Sequence, residues 1–262
     1  MIKRMNEILN TLINLAKEAG DLIQEHFREL KAHEIEKKGF SHYVTKTDKE
    51  VENLLVWGLK KKFPDIGVYA EEGSELPGKG RFIIDPLDGT HNFMHGVPHF
   101  CVSIAYELDS RIKASVIYDP IKDELFKAER GKGAFLNDSP IKSSAIKKCE
   151  EALISVGFPP TAYHLREEFM NALKELILEI NSLRLFGSAA LNLAYIADGR
   201  IDGDISFGLS PWDVAAGWLL VEEAGALITD ENGADEILKG NIVAATPDIH
   251  QFLLRFVQDR IL

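Results

Sequence analysis

Cysteine is nearly absent from this chain of 262 residues: Cys101 and Cys149 are too far apart to suggest a thiolate metal site and too few for a disulfide framework. A reducing cytoplasm is the expected setting. Long apolar runs are lacking too. None approaches membrane-spanning length, and Met1 to Asn14 mixes charges without an uninterrupted apolar stretch, so neither a signal nor an anchor is expected. Basic residues are in deficit, 30 Lys and Arg against 41 Asp and Glu, leaving a net charge of -11. That balance opposes general nucleic-acid affinity, which needs basic surface, and it concentrates divalent cations near acidic clefts. A small anionic substrate would then need metal in order to bind. Familiar catalytic phrases are missing as well. Gly78-Lys79-Gly80 and Gly131-Lys132-Gly133 lack the spacing of a phosphate-binding P-loop, no Gly-x-Gly-x-x-Gly follows a strand, and Ser188 lies in Gly-Ser-Ala-Ala, without the Gly-x-Ser-x-Gly elbow.

What is present is an ordinary globular composition, 45% apolar and 27% charged, long enough for one large domain or two closely packed halves. The chain is organised around Ile83 to Asn92, Ile-Ile-Asp-Pro-Leu-Asp-Gly-Thr-His-Asn. Arg81 to Ile84 has strand length and apolarity, and Pro86 with Gly89 is expected to stop it. Asp85 and Asp88 then sit at the strand end, where a kink at Pro86 can turn both carboxylates toward one point. Carboxylates held that close repel each other unless a cation lies between them, and such hard oxygen ligands suit Mg2+ or Ca2+. Gly89-Thr90-His91-Asn92 has the composition of a turn feeding a helix, whose free N–H groups and hydroxyl can receive a phosphate oxygen. Taken alone, Asp-x-x-Asp-Gly serves equally well as a strand end, an Asx turn and a helix cap.

Apolar residues recur at helical spacing from Met5 to about Leu30, and a second helical pattern runs through Val51, Leu54, Leu55 and Leu59. Asp48 falls near the start of that second helix, where a capping acid is favoured. Gly67 to Ala70 reads as a brief strand ending in Glu71-Glu72-Gly73. A meander is expected over Cys101–Glu107, Ile112–Tyr118 and Asp123–Ala128. From about residue 146 strands and helices alternate: strands at Ala152–Val156, Leu183–Phe186, Ile201–Ser206, Ala226–Thr229 and Asn241–Ala244, helices at Arg166–Ile180, after Gly187-Ser188-Ala189, at Val214–Ala224 and at Asp248–Arg260. Ligands of such open α/β sheets lie beyond the strand ends, where the acids fall. His91, His95 and His99 are four apart, but Gly96 and Pro98 interrupt the helix that a histidine metal face would need.

The phrase Asp85-Pro-Leu-Asp-Gly-Thr-x-Asn-Phe93 resembles the signature of the lithium-sensitive, magnesium-dependent phosphomonoesterases of the inositol monophosphatase family. Val44-Thr45-x-Thr47-Asp48, Ala70-Glu71-Glu72-Gly73, Gly187-Ser188-Ala189-Ala190 and Trp212-Asp213-Val214-Ala215-Ala216-Gly217 resemble its other motifs in the same order. The resemblance implies the α-β-α-β-α sandwich of the sugar phosphatases, an α+β half over about residues 1–145 and an α/β half over about 146–262. It also implies two or three Mg2+ ions. Glu71, Asp85 and the carbonyl of Leu87 would hold one, with a bound water as nucleophile; Asp85, Asp88 and Asp213 would hold another beside the leaving group; a third would lean on Glu71. Thr90, oriented by Asp48, would hydrogen-bond that water, Glu71 and Thr90 would take up or orient its proton, and Gly89 and Thr90 would offer N–H groups to the phosphate. Gly187, Ser188, Ala189 and Ser206 would border the substrate, Arg184 would lie near the substrate or a subunit contact, and Lys37 would lie near a metal loop.

At Ser206, seven residues before the ligand Asp213, many members place a Glu that grips substrate hydroxyls. Its absence leaves fructose 1,6-bisphosphate, other sugar phosphates or NADP as alternatives to inositol 1-phosphate. The expectation is a cytoplasmic, homodimeric phosphomonoesterase with no nucleic-acid or membrane partner. A metal-binding regulatory protein is the alternative of a different class.

Overall fold

The computed structural model describes residues 2–39, 42–157 and 166–262. Five layers follow from where the apolar faces can be hidden. Helices α1 (Ile2–His26) and α2 (Lys46–Lys62) form the outer layer. Ile8, Leu12, Ala16 and Ile23 on α1, with Val51, Leu55 and Leu59 on α2, cover one face of an eight-stranded sheet through Phe82, Ile84, Val102 and Ile104. A short hairpin, β1 (Ile35–Gly39) with β2 (His42–Thr45), joins the two helices, an element absent from the expectations above.

The large sheet contains β3 (Gly67–Ala70), β4 (Glu75–Leu76), β5 (Arg81–Asp88), β6 (Cys101–Leu108), β7 (Arg111–Asp119), β8 (Glu124–Glu129), β9 (Ala134–Leu136) and β10 (Ser139–Ile141), in the order β10-β9-β8-β7-β6-β5-β3-β4. Strands β6 to β8 are the expected meander. Only β3 and β5 run parallel. Successive side chains on a strand point to opposite faces, so Ile83, Ala105 and Ile117 face away from α1 and α2, and a register shift in β7 after Ile112 turns that residue to the same side. There they meet the middle layer, α5 (Ala189–Ala197) and α6 (Pro211–Glu223).

Those two helices are buried on nearly every side, with Leu191, Leu193, Ile196, Leu219 and Leu220 fully inaccessible. Their far side packs on a five-stranded sheet of β11 (Leu153–Gly157), β12 (Ser182–Arg184), β13 (Gly203–Ser206), β14 (Leu227–Thr229) and β15 (Ile242–Ala245), ordered β12-β11-β13-β15-β14. This sheet is mixed, parallel where β11 meets β12 and β13 and antiparallel on the other side. Helices α4 (Arg166–Glu179) and α7 (Pro247–Arg260) close the last layer through Phe169, Leu176, Ile249 and Leu253. Among the described residues no helix is long and apolar enough to cross a membrane.

Candidate active site

The strand expected to stop at Ile84 continues to Asp88. Pro86 is accommodated because the ladder to β6 slips there: Asp85 pairs with Ser103 and Asp88 with Cys101, three steps on one strand against two on the other. This is a β-bulge, and proline is tolerated where the ladder is broken. The bulge also explains the convergence of the acids. Residues three apart on a regular strand face opposite sides, and the extra residue turns Asp88 back toward Asp85. Gly89 then takes φ of +94°, with an added Cβ falling 2.9 Å from the carbonyl oxygen of His99, and α3 (Thr90–Met94) begins.

Asp85, Asp88 and Asp213 each offer a carboxylate oxygen within 4.8 Å of the others. Asp213 arrives on the first turn of α6, where its Oδ2 accepts the Ser210 N–H at 2.6 Å. Asp88 Oδ2 accepts the Ser188 hydroxyl at 2.5 Å and the Ala190 N–H at 2.8 Å, so the start of α5 holds it. Asp85 Oδ1 accepts the Leu87 N–H at 3.0 Å. Glu71, at the end of β3, reaches hydrogen-bonding contact with Asp85. None of the three aspartates has a Lys or Arg ion-pair partner among the described residues.

The electrostatic consequence is uniform. Burial first, then Glu71, Asp88 and Asp213, lifts the Asp85 carboxyl well above the usual range. Burial, then Asp88 and Glu71, does the same to Asp213. Asp88 is pushed up to about 6 by burial, against the opposing donors Ser188 and Ala190. The aspartates cannot all ionise beside Glu71 without a compensating cation, and an all-oxygen donor set of this kind fits a hard divalent ion.

On the other side of the bulge, the Thr90 hydroxyl lies 3.1 Å from Asp48 Oδ1 and 3.0 Å from the Leu87 carbonyl oxygen. Asp48 does cap α2, accepting from the Thr45 N–H at 2.8 Å and the Thr45 hydroxyl at 2.5 Å, and its second oxygen reaches Thr90 as well. Burial raises its carboxyl to about 7, against the Thr45 donors and with a further push from Glu71 and Glu72.

The remaining expected residues divide. Ser188 caps α5, its hydroxyl oxygen accepting the Leu191 N–H, and Gly187 with φ of +81° and Ala189 flank it. Arg184 is exposed on β12, donating to the Ser182 hydroxyl at 2.6 Å and the Leu183 carbonyl at 2.8 Å. Ser206 is fully buried, and its hydroxyl donates to Asp204 at 2.6 Å. In that position its side chain is closed off from solvent. His91 and His95 are exposed, and His99 lies beyond the end of α3, stacked on Phe186, so the three share no helix face. Lys37 lies 5.9 Å from the centre of the Tyr43 ring on the β1–β2 hairpin.

Sequence reading missed two residues that shape the site. Asn92 donates at 2.8 Å to the carbonyls of both His99 and Phe186, tying α3 to the loop before Ser188. Glu52, one turn after Asp48 on an apolar face with Val51 and Leu55, is buried and accepts two N–H groups from the loop after Glu71. An acid at that spacing inside a buried stripe was the available signal.

A family model described as the inositol monophosphatase family matches residues 4–262. The chain belongs to that family. Relatives that it resembles include a Nus factor SuhB of Escherichia coli K12, 39% identical over 98% of each chain, and an inositol-1-monophosphatase of Mesorhizobium japonicum, 39% identical over 96% of each. Among solved structures, an extragenic suppressor protein SuhB from Bartonella henselae superposes with a TM-score of 0.93 at 40% identity, covering 96% of this chain and 98% of that one. The Thermotoga maritima IMPase gives a TM-score of 0.89 at 34% identity over 97% of each chain.

Proposed function

We propose that the protein is a Mg2+-dependent phosphomonoesterase, with inositol 1-phosphate as its leading substrate. The convergence of Asp85, Asp88 and Asp213 beside the Thr90–Asp48 pair carries this reading. Glu71, Asp85 and the Leu87 carbonyl would hold one cation, and Asp85, Asp88 and Asp213 a second. When bound, such cations neutralise charge on a phosphoryl group and lower the pKa of water.

The chain's own groups do the positioning. Thr90, donating its hydroxyl hydrogen to Asp48, turns an oxygen lone pair outward to accept a hydrogen from an attacking water. Asp48, with its carboxyl near 7, can take a proton passed through that hydroxyl. Gly89 and Thr90 offer backbone N–H groups to phosphate oxygens. Ser188 and Ala190 fix Asp88 on the leaving-group side, and water then attacks phosphorus directly opposite the departing alkoxide. No protein nucleophile is required.

The chain would work in the cytoplasm as a homodimer, in keeping with the family. A second reading rests on the relatives called Nus factor SuhB, whose name denotes a factor and not a phosphatase. Under it the chain would act through a partner surface while keeping the metal pocket.

Phosphate release from inositol 1-phosphate, fructose 1,6-bisphosphate and NADP, measured side by side with Mg2+, without it and with added Li+, tests the proposal. Mg2+-dependent release led by inositol 1-phosphate is expected, with nearly complete loss in Glu71→Gln. Equal release without metal would refute the mechanism, and no release from any of the three would favour the partner reading.

A further inference from the structure

Five consecutive amides, from Ala70 to Ser74, make up the turn that carries Glu71, and each has an acceptor. The Ala70 N–H donates to the Ser74 carbonyl at 3.0 Å, Glu71 to Ile84 at 3.2 Å and Gly73 to Ala70 at 3.4 Å. The other two point inward. Glu72 N–H donates to Glu52 Oε2 at 2.6 Å, and Ser74 N–H to Glu52 Oε1 at 3.0 Å. One carboxylate, 4% exposed, thus bridges both shoulders of the turn from a different element.

A buried carboxylate is an expensive way to fill space beside Val51 and Leu55. An apolar residue would pack there and leave the turn amides to water. The carboxylate instead fixes the turn in one conformation, and with it the direction of the Glu71 side chain. Asp48 and Glu52 are four apart on α2, hence neighbours on one helix face. That face grips Thr90 at one end and the Glu71 turn at the other.

We propose that Glu52 is a positioning residue for the cation site, clamping the Glu71–Glu72 turn so that α2 sets the distance between Glu71 and the Asp85–Thr90 segment. The inference rests on the metal reading given above. It assigns Glu52 no contact with cation or substrate.

Mg2+ titration by calorimetry on Glu52→Gln and Glu52→Asp tests it, with melting temperatures in chelator as the folding control. Gln keeps the length but places an NH2 group against an N–H donor, and Asp keeps the charge but falls one methylene short. Both variants are expected to bind Mg2+ roughly tenfold more weakly, the usual effect of removing a group that orients a ligand, while still melting cooperatively in chelator at a lowered temperature, since each leaves a buried N–H poorly accepted. Amide exchange at Glu72 and Ser74 should rise in both. Normal Mg2+ affinity in Glu52→Asp with weak binding in Glu52→Gln would show a charge effect and overturn the clamp, as would normal affinity in both. If neither variant folds, amide exchange in the unaltered protein decides: protection at Glu72 and Ser74 comparable to β3 supports the clamp, and exchange at the rate of an open peptide overturns it. Unchanged Mg2+ affinity in Glu71→Gln would instead sink the metal reading itself.

Discussion

Asp204 is buried at 1% exposure on β13, outside the cation cluster, and gives a stability prediction that does not depend on catalysis. Its Oδ1 accepts from the Ser155 hydroxyl at 2.5 Å and the Asn192 amide at 2.9 Å, and its Oδ2 from the Ser206 hydroxyl at 2.6 Å. Burial outweighs those three donors and raises the carboxyl from 3.8 to about 6. Between those two values the folded protein holds a proton that the unfolded chain has released. Stability from this group is therefore fully present below about pH 4 and is lost as pH rises through about 6. The size of the loss follows from the separation of the two values, about 3 kcal/mol by pH 7 and above. Asp204→Asn removes the titration but not the shape: its carbonyl can accept from Ser155 and Asn192, and the Ser206 hydroxyl can rotate to accept from its NH2 group. The variant should gain about 3 kcal/mol on the unaltered protein between pH 4 and pH 8. Urea unfolding at fixed pH steps, with both proteins compared at each step, isolates this group from the other carboxyls. Parallel stability curves across that range would refute the argument.

Thr90→Ala should lower kcat by about 10²-fold or more while Mg2+ affinity holds, since the threonine acts on the water's proton in the proposed chemistry; a steady-state and calorimetric comparison separates the two. Ser188→Ala strips a donor from the buried Asp88 and should cost about 1–3 kcal/mol of stability in chelator, read by urea unfolding. Gly89→Ala forces a side chain onto φ of +94° and into the His99 carbonyl, so a loss of at least about 1–2 kcal/mol is expected by the same measurement. Adding Mg2+ at about a hundred times its Kd should raise stability by about 2.7 kcal/mol, visible as a higher Tm, and chelator should reverse the gain.

Much of this architecture was legible because it rests on local periodicity. The amphipathic stripes of α1, α2 and α7, the three-strand meander and the buried run of α6 announce themselves over ten residues or more. The β1–β2 hairpin did not. Its strands are short and polar, Ile-Glu-Lys-Lys-Gly against His-Tyr-Val-Thr, and lack a clean alternation of apolar residues. Pro86 misled in a more instructive way, since a proline ends a strand only if its missing N–H is needed by the ladder. Here the bulge removes that need, and the register slip is set by pairing with β6, which no local pattern encodes.

The same distinction separates the acids that could be found from the residues that set their positions. Asp85 and Asp88 share one decapeptide, so their chemistry could be read together, while Asp213 and Glu71 needed an outside pattern to join them. Ser206 shows the limit of that pattern. Position relative to Asp213 suggested a substrate contact, but β13 lies between β11 and β15, and its side chain points to Asp204 at the layer interior. A Cβ on Gly157 would fall 2.3 Å from the Ser206 hydroxyl oxygen, so the two residues already fill the available space. With its hydroxyl already engaged by Asp204 and no surface exposed, Ser206 as placed offers a substrate nothing to grip, so we propose that discrimination among phosphomonoesters rests on groups other than this side chain.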